Sequence, residues 1–305
     1  MRDFLRSGFN RIVAVAIAAV FSLSGYVSLG QESAEKAAEP LFKYPVAPDT
    51  IATLEGRTNY IVSKFWDNFN MSKHIADSAA FDAAFRDYVT FFKYAHKNIV
   101  FSSIKNFMNK AQSNLANYIM VMKIAEKALY APGAEFWSDE AYLPFAKFFV
   151  SSKKVKSAQK QHYIAQIKKI EQNEKGADAP DFTFVMPDKS KKRLSDIKDG
   201  WVLIFFNDDS SDCSIARLRL STDVIVNRNI DENKVTVLSI FPGKYSGEWA
   251  EEARTYSDKW IIGACEDADD TFDIRFTPSF YILDRDHKIV EKNLNLETVK
   301  GMFVR

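Results

Sequence analysis

From residue 50 to 172 apolar side chains return every three or four positions, whereas after residue 180 they come in short runs separated by turn residues. The first spacing places Phe81, Phe85, Tyr88, Phe91 and Phe92 on one helix face. It places Ile104, Phe107, Met108, Ala111, Leu115, Tyr118, Ile119 and Met122 on another. Breaks at Ala131-Pro132-Gly133 and Leu143-Pro144 predict four to six helices and no strands of note in this half. Lys153 to Glu174 reads as one long polar helix with Val155, Tyr163, Ile164, Ile167 and Ile170 turned inward.

The period changes across Glu174-Lys175-Gly176-Ala177-Asp178-Ala179-Pro180, where Pro180 ends the helical pattern. Asp181 to Met186 then reads as a strand, followed by the turns Pro187-Asp188-Lys189-Ser190 and Leu194-Ser195-Asp196-Ile197. Trp201 to Phe206 is an apolar strand, and a helix is predicted from about Ser211 to Arg228. Val235 to Phe241 is a further strand, Glu248 to Ser257 a helix and Trp260 to Ala264 a short strand. Phe280 to Asp284 and Ile289 to Lys292 form a hairpin turning on Arg285-Asp286-His287. Strand, helix, strand, helix and hairpin in that order imply a parallel sheet with an antiparallel edge.

Composition adds a charge asymmetry. The 305 residues are 47% hydrophobic and 14% aromatic, ample for two ordinary domains, with a net charge of +1. Residues 31–175 hold 20 Lys and Arg against 15 Asp and Glu, a charge of +5; residues 176–305 hold 18 against 24, a charge of −6. Neither half is basic enough to argue for nucleic acid. At the start, Arg2, Arg6 and Arg11 precede an apolar run from Ile12 to Leu23, and Ser28-Leu29-Gly30 puts small residues before Gln31. This pattern predicts an export leader over 1–30. Its apolar run is shorter than the roughly 20 residues of a bilayer span, so membrane contact is expected only through an uncleaved leader. No cysteine lies near the cut to accept a lipid, and the expected location is the periplasm or another exported site.

The two cysteines, Cys213 and Cys265, carry the candidate chemistry. Cys213 falls in the first turn of the helix that follows Trp201 to Phe206, where a helix N-terminus favours a thiolate and a Cys-x-x-Cys pair does dithiol exchange. The first position of such a pair is Ser210, a hydroxyl without an adjacent base. Asp208, Asp209 and Asp212 oppose a thiolate at Cys213. Cys265, after the short strand, is a possible disulfide partner if the Cα atoms lie within about 7 Å. His74, His96, His162 and His287 are scattered, and Glu266-Asp267-Ala268-Asp269-Asp270 lacks the alternating ligands and central glycine of a calcium loop. No metal and no cofactor are expected.

Ala179-Pro180-Asp181-Phe182, the Asp209-Ser210-Ser211-Asp212-Cys213 site and the Thr277-Pro278 step resemble a thioredoxin-like domain of the extracytoplasmic group related to AhpC/TSA and TlpA-type proteins, over about residues 176–305. Arg57-Thr58-Asn59-Tyr60-Ile61-Val62 with Phe65-Trp66-Asp67-Asn68-Phe69 resembles the opening of the helical DUF5106 domain that precedes such domains in Bacteroidetes proteins. The resemblance implies an all-helical domain followed by a three-layer α/β/α thioredoxin-like domain with a mixed sheet. It divides the chain into a leader (1–30), a helical domain (31–172), a linker (173–180) and the thioredoxin-like domain (181–305). It puts Ser210 at the nucleophilic cysteine and Cys213 at the resolving one. Pro278 then falls on a cis proline that shapes, with Thr277, the substrate groove, and Ile204 on a proton-relaying acid. Ser210 and Cys213 also satisfy the Ser/Thr-x-x-Cys core of peroxiredoxins, but that family's proline would fall at Phe206 and its arginine at Pro278.

The functional expectation is an exported module with a degenerate Ser-x-x-Cys site. It holds an extended peptide or envelope protein in the groove near Pro278 and has lost dithiol catalysis. The alternative is a thiol-disulfide oxidoreductase working through Cys213 alone or with Cys265. A third possibility assigns the function to the helical domain.

Overall fold

The computed structural model describes residues 40–198 and 200–303, so the expected leader lies outside the described residues. The chain divides into two compact units between Lys160 and Gln161. The first contains helices α1 (Leu54–Lys64), α2 (Ser78–Thr90), α3 (Lys97–Ala111), α4 (Leu115–Leu129) and α5 (Asp139–Ser151), with a 3-10 turn at Phe92–Tyr94. Helix α6 (Ser157–Gln172) crosses the division. Side chains of Thr53, Asp77, Asn114 and Ser138 each accept from the first turn of the helix they precede, fixing where α1, α2, α4 and α5 begin.

The core of the first unit is aromatic. Phe65, Phe81, Phe85, Tyr88, Phe107 and Phe145 are fully buried or nearly so, and Trp66 stacks on Phe107 at 4.4 Å. Asn117 is buried and satisfied: its amide donates to the carbonyls of Met71 and Lys73, and its oxygen accepts from Ile75 N at 3.2 Å. Three expectations differ here. The helix expected over Lys153 to Glu174 is α6, starting only at Ser157, and its Ile164, expected to turn inward, is 43% exposed. Leu115, placed on the inner stripe, is the first residue of α4 and is 43% exposed. Pro144 does not break the chain but lies inside α5, whose buried Tyr142, Phe145, Ala146 and Phe149 hold the helix together across it.

The second unit is built on a seven-stranded sheet ordered β2-β1-β5-β4-β3-β6-β7. The strands are β1 (Thr183–Val185), β2 (Lys191–Arg193), β3 (Trp201–Phe206), β4 (Val235–Phe241), β5 (Ile261–Ala264), β6 (Ser279–Leu283) and β7 (Ile289–Leu294). β3, β4 and β5 are parallel; β6 and β7, and β1 against β5, are antiparallel. Helices α7 (Ser211–Ser221), α8 (Val224–Asp231), α9 (Gly247–Ala253), α10 (Ala268–Thr271) and α11 (Leu296–Phe303) complete the unit.

Both faces of β3 are covered, which is why it reads as an uninterrupted apolar run. Leu203 and Phe205 face Ala216 and Leu220 of α7, Val226 of α8 and Val299 of α11. Val202, Ile204 and Phe206 face the other way, into Phe184, Leu194, Phe272, Tyr281 and Cys265. Gly200 leads into β3 at φ +74°, and a Cβ there would meet the Lys234 carbonyl at 2.6 Å, so only glycine fits. The single helix expected over Ser211 to Arg228 is two, because Asp223 caps a new helix by accepting from Ile225 N and Val226 N. Among the described residues no helix is long and apolar enough to cross a membrane.

Candidate functional site

The register of β3 on β6 places Phe206 opposite Ser279, so the chain leaving β3 and the chain arriving at β6 meet at one end of the sheet. The first brings Asp208 and Ser210 to the mouth of α7, and the second brings Thr277 and Pro278, whose peptide bond is cis. Asp208 ties the two together. Its Oδ2 accepts from the Thr277 hydroxyl and its Oδ1 from Ser210 N at 2.9 Å. Ser210 is the N-cap of α7, its hydroxyl accepting from Cys213 N at 3.3 Å. Its oxygen is therefore committed to the helix end.

Cys213 sits one turn into α7 and is fully buried. Burial pushes its thiol up; the Ser210 hydroxyl and the Asp208 backbone work the other way, and the Asp208 carboxylate adds to the rise. At Asp208 burial disfavours the charge. The bonds from the Thr277 hydroxyl and Ser210 N, with the Ser210 hydroxyl and the Cys213 thiol nearby, outweigh it and hold the carboxyl well below the usual range. Of the three acids expected to oppose a thiolate, Asp208 makes this contact, while Asp209 and Asp212 are exposed. The arrangement is a carboxylate collecting donors from Ser210 and Thr277, with a buried thiol beside it.

Behind the mouth lies a group the sequence reading missed. Arg217 is buried and donates to Asn207 Oδ1 at 2.9 Å, to the Asp208 carbonyl at 2.7 Å, to Ser214 Oγ at 2.8 Å and to Glu252 Oε1 at 3.1 Å. Its guanidinium carbon stands 4.5 Å from the ring centre of Tyr256, whose hydroxyl donates to the same Glu252 oxygen. Asn207 in turn donates to Phe205 O and to Ser239 Oγ on β4. One signal was available: Cys213, Arg217 and Leu220 stand at helical spacing on the inner stripe of α7, where a cation has to be paired.

The structure brings Ser210, Cys213, Thr277 and Pro278 together and does not bring Cys265 to them. β5 ends at the same end of the sheet as β3, as the parallel strands require. The Cys265 side chain, however, packs in the cluster on the face opposite α7, and both cysteines are free thiols. Burial pushes the Cys265 thiol up as well. Among the described residues no three metal-ligating side chains converge.

Residues 24–173 match the family described as Domain of unknown function (DUF5106). A thioredoxin-like protein from Bacteroides caccae superposes with a TM-score of 0.78 at 20% identity, over 86% of this chain and 98% of that one. A stretch that matches DUF5106 is thus followed by a thioredoxin-like fold. Two shorter structures are also similar: a conserved protein of unknown function from Bacteroides fragilis (27% identity, 43% of this chain, 99% of that chain, TM-score 0.41) and the thioredoxin domain of a thiol-disulfide oxidoreductase from Bacteroides vulgatus (22%, 43%, 99%, 0.37). No curated protein matches. In the thioredoxin-like unit, the parallel β3-β4-β5 core, the helix opening at Cys213 and the strand entered through Pro278 are the parts that make the mouth.

Proposed function

We propose that this is an exported protein whose thioredoxin-like unit binds an extended peptide or an envelope protein beside Thr277 and Pro278 and does not turn over disulfides. The observation that carries the reading is the state of Cys213: buried, opposed as a thiolate by the Asp208 carboxylate, and separated by one helical turn from a serine whose hydroxyl caps the helix. Dithiol exchange needs an accessible thiolate and a second sulfur in reach. Here the neighbours stabilise the protonated form. The Thr277-Pro278 step is only half-buried, which leaves it open to an extended chain that pairs through its main chain. The basic and apolar pattern of residues 1–30 supports export.

Reduction of insulin by dithiothreitol tests the catalytic half of the reading. The expected rate equals that of dithiothreitol alone, for the protein and for Cys213→Ser alike; acceleration comparable to an ordinary thioredoxin, lost in Cys213→Ser, overturns it. Binding is tested with an unfolded protein whose cysteines are blocked, where Thr277→Arg is expected to lower affinity at least ten-fold by covering the Thr277-Pro278 step. The rival reading, a thiol-disulfide oxidoreductase using Cys213 alone or with Cys265, requires one of the two thiols to ionise near neutral pH. Burial opposes that at both.

A further inference from the structure

The helix that carries Cys213 is open along its outer face. Asp212, Ile215 and Leu218 follow one another at three-residue steps of α7 and so share one face, and all three are exposed, Ile215 by 56% and Leu218 by 65%. The opposite face of the same helix buries Ala216 and Leu220 in the core. Large aliphatic side chains one turn apart in water form a patch, and patches, unlike single exposed residues, mark interaction surfaces.

The charge at the head of this stripe is unbalanced. Residues 207–212 hold three carboxylates and no cation. Asp209 and Asp212 are exposed, and among the described residues neither has an ion-pair partner. The cations of α7 are committed elsewhere, Arg217 to its buried acceptors and Arg219 to Glu297. The acids at the two ends of the next helix, α8, are by contrast both paired, Asp223 with Lys300 at 2.8 Å and Asp231 with Lys259 at 2.6 Å. The stripe also joins the mouth: Asp208, next to Asp209, accepts from the Thr277 hydroxyl, and among the described residues the main-chain N–H and C=O of Thr277 have no partner.

We propose that the peptide taken at the Thr277-Pro278 step is a basic and apolar one, with Lys or Arg against Asp209 and Asp212 and an aliphatic or aromatic side chain laid on Ile215 and Leu218. Such selection presupposes the peptide binding proposed above for that step. Its spacing follows from two periodicities. Asp212 to Leu218 spans about 9 Å along the helix at roughly 1.5 Å per residue, and side chains two positions apart in an extended chain point the same way about 7 Å from one another. The selected pattern is therefore a basic and an apolar residue two positions apart. An acidic segment would meet only carboxylates at the turn, and a polyamine would satisfy the charge but leave Ile215 and Leu218 in water; charge and stripe together decide for this class of peptide.

Fluorescence anisotropy of the full chain with a matched set of labelled twelve-residue peptides tests this. The parent carries Lys and Leu two positions apart in a neutral Ser, Thr and Asn background; its analogues replace the Lys with Glu or Gln, or the Leu with Ser. The parent is expected to bind at least ten-fold tighter than the Glu or the Ser analogue, and to weaken several-fold between about 50 and about 500 mM NaCl while the Gln analogue does not. Asp209→Asn with Asp212→Asn should lower affinity for the parent about five-fold and leave the Gln analogue as before, and Asp212→Lys should turn the preference toward the Glu analogue. Leu218→Ser should lower affinity for the parent about five-fold with the melting temperature unchanged, as an exposed position allows. Thr277→Arg should release every peptide of the set. If it does so while all the peptides bind alike and the α7 variants change nothing, peptide binding at the mouth stands and the selection is overturned. A preference for the Glu analogue over the parent overturns it as well, and if no peptide binds above background, peptide binding at the mouth falls and the selection with it.

Discussion

Cys213 and Cys265 are both buried and both held as thiols, yet the regions around them differ in kind. Cys265 lies in an apolar cluster with Phe182, Phe206, Phe272 and Tyr281. Cys213 lies at a polar mouth where Asp208, Ser210, Arg217 and Asn207 satisfy one another, with apolar packing on Leu203 and Phe205 only a turn further along α7. Burial alone suffices to raise a thiol, so a raised thiol does not distinguish a filler from a remnant of chemistry. What distinguishes them is the set of partners a different atom would find in the same place.

That difference is open to substitution. The largest expected effect is at Arg217, whose removal leaves Asn207 Oδ1 and the Asp208 carbonyl without their donor in a buried setting. Arg217→Ala should cost about 2–4 kcal/mol in urea unfolding, with no comparable loss for the exposed Arg254→Ala. Next comes the swap of each sulfur for a hydroxyl. Cys265→Ser puts an O–H into an apolar cluster and should cost about 1–3 kcal/mol. Cys213→Ser puts the O–H beside the polar mouth, with the Asp208 carboxylate nearby to accept from it, and should cost under about 1 kcal/mol. Equal costs would erase the comparison.

The parts of the mouth legible in the sequence were those written in short stretches: the apolar run of β3, the cysteine one turn into the next helix, and Thr277-Pro278 before β6. What was not legible was set by contacts between distant residues or by local capping. Arg217 reads as an ordinary surface cation until Glu252 and Tyr256, some 35 and 39 residues on, are seen to pair with it. The break between α7 and α8 is hidden because Val224, Ile225 and Val226 continue an apolar pattern, while Asp223 offers the backbone a fresh cap. β2 carries only exposed Lys and Arg and is a strand solely because β1 pairs with it. Pro144 reads as a break, and burial of Phe145 and Phe149 overrides it.

A smaller effect belongs to the cap of α7. Ser210→Ala removes the acceptor for Cys213 N and should cost about 1 kcal/mol, read as a shift in the urea midpoint without change of slope. Ser210→Asp should recover most of it, since a carboxylate also caps and suits the helix N-terminus.

The last substitution is read by titration as well as by unfolding: Asp208→Asn leaves one acceptor oxygen where Ser210 N and Thr277 use two and removes at neutral pH the stability the ionised carboxylate supplies, and it separates the two thiols best. Asp208 is ionised in the fold at a pH where the unfolded chain, with an ordinary value near 4, takes up a proton. Its contribution is present above about pH 4 and is lost as the pH falls toward its depressed folded value. The thiols act with the opposite sign: their raised folded values favour the protonated native state, so their contribution is present below the ordinary thiol value of about 8.5 and is lost as the pH climbs through the folded one. Asp208→Asn should flatten the acid limb of a stability profile between pH 2 and 5. On a Cys265→Ser background it should lower the Cys213 value in a thiolate absorbance titration, because a neutral amide no longer opposes the anion. On a Cys213→Ser background the titration of Cys265 should not move, since burial and Asp267, not Asp208, hold that thiol up.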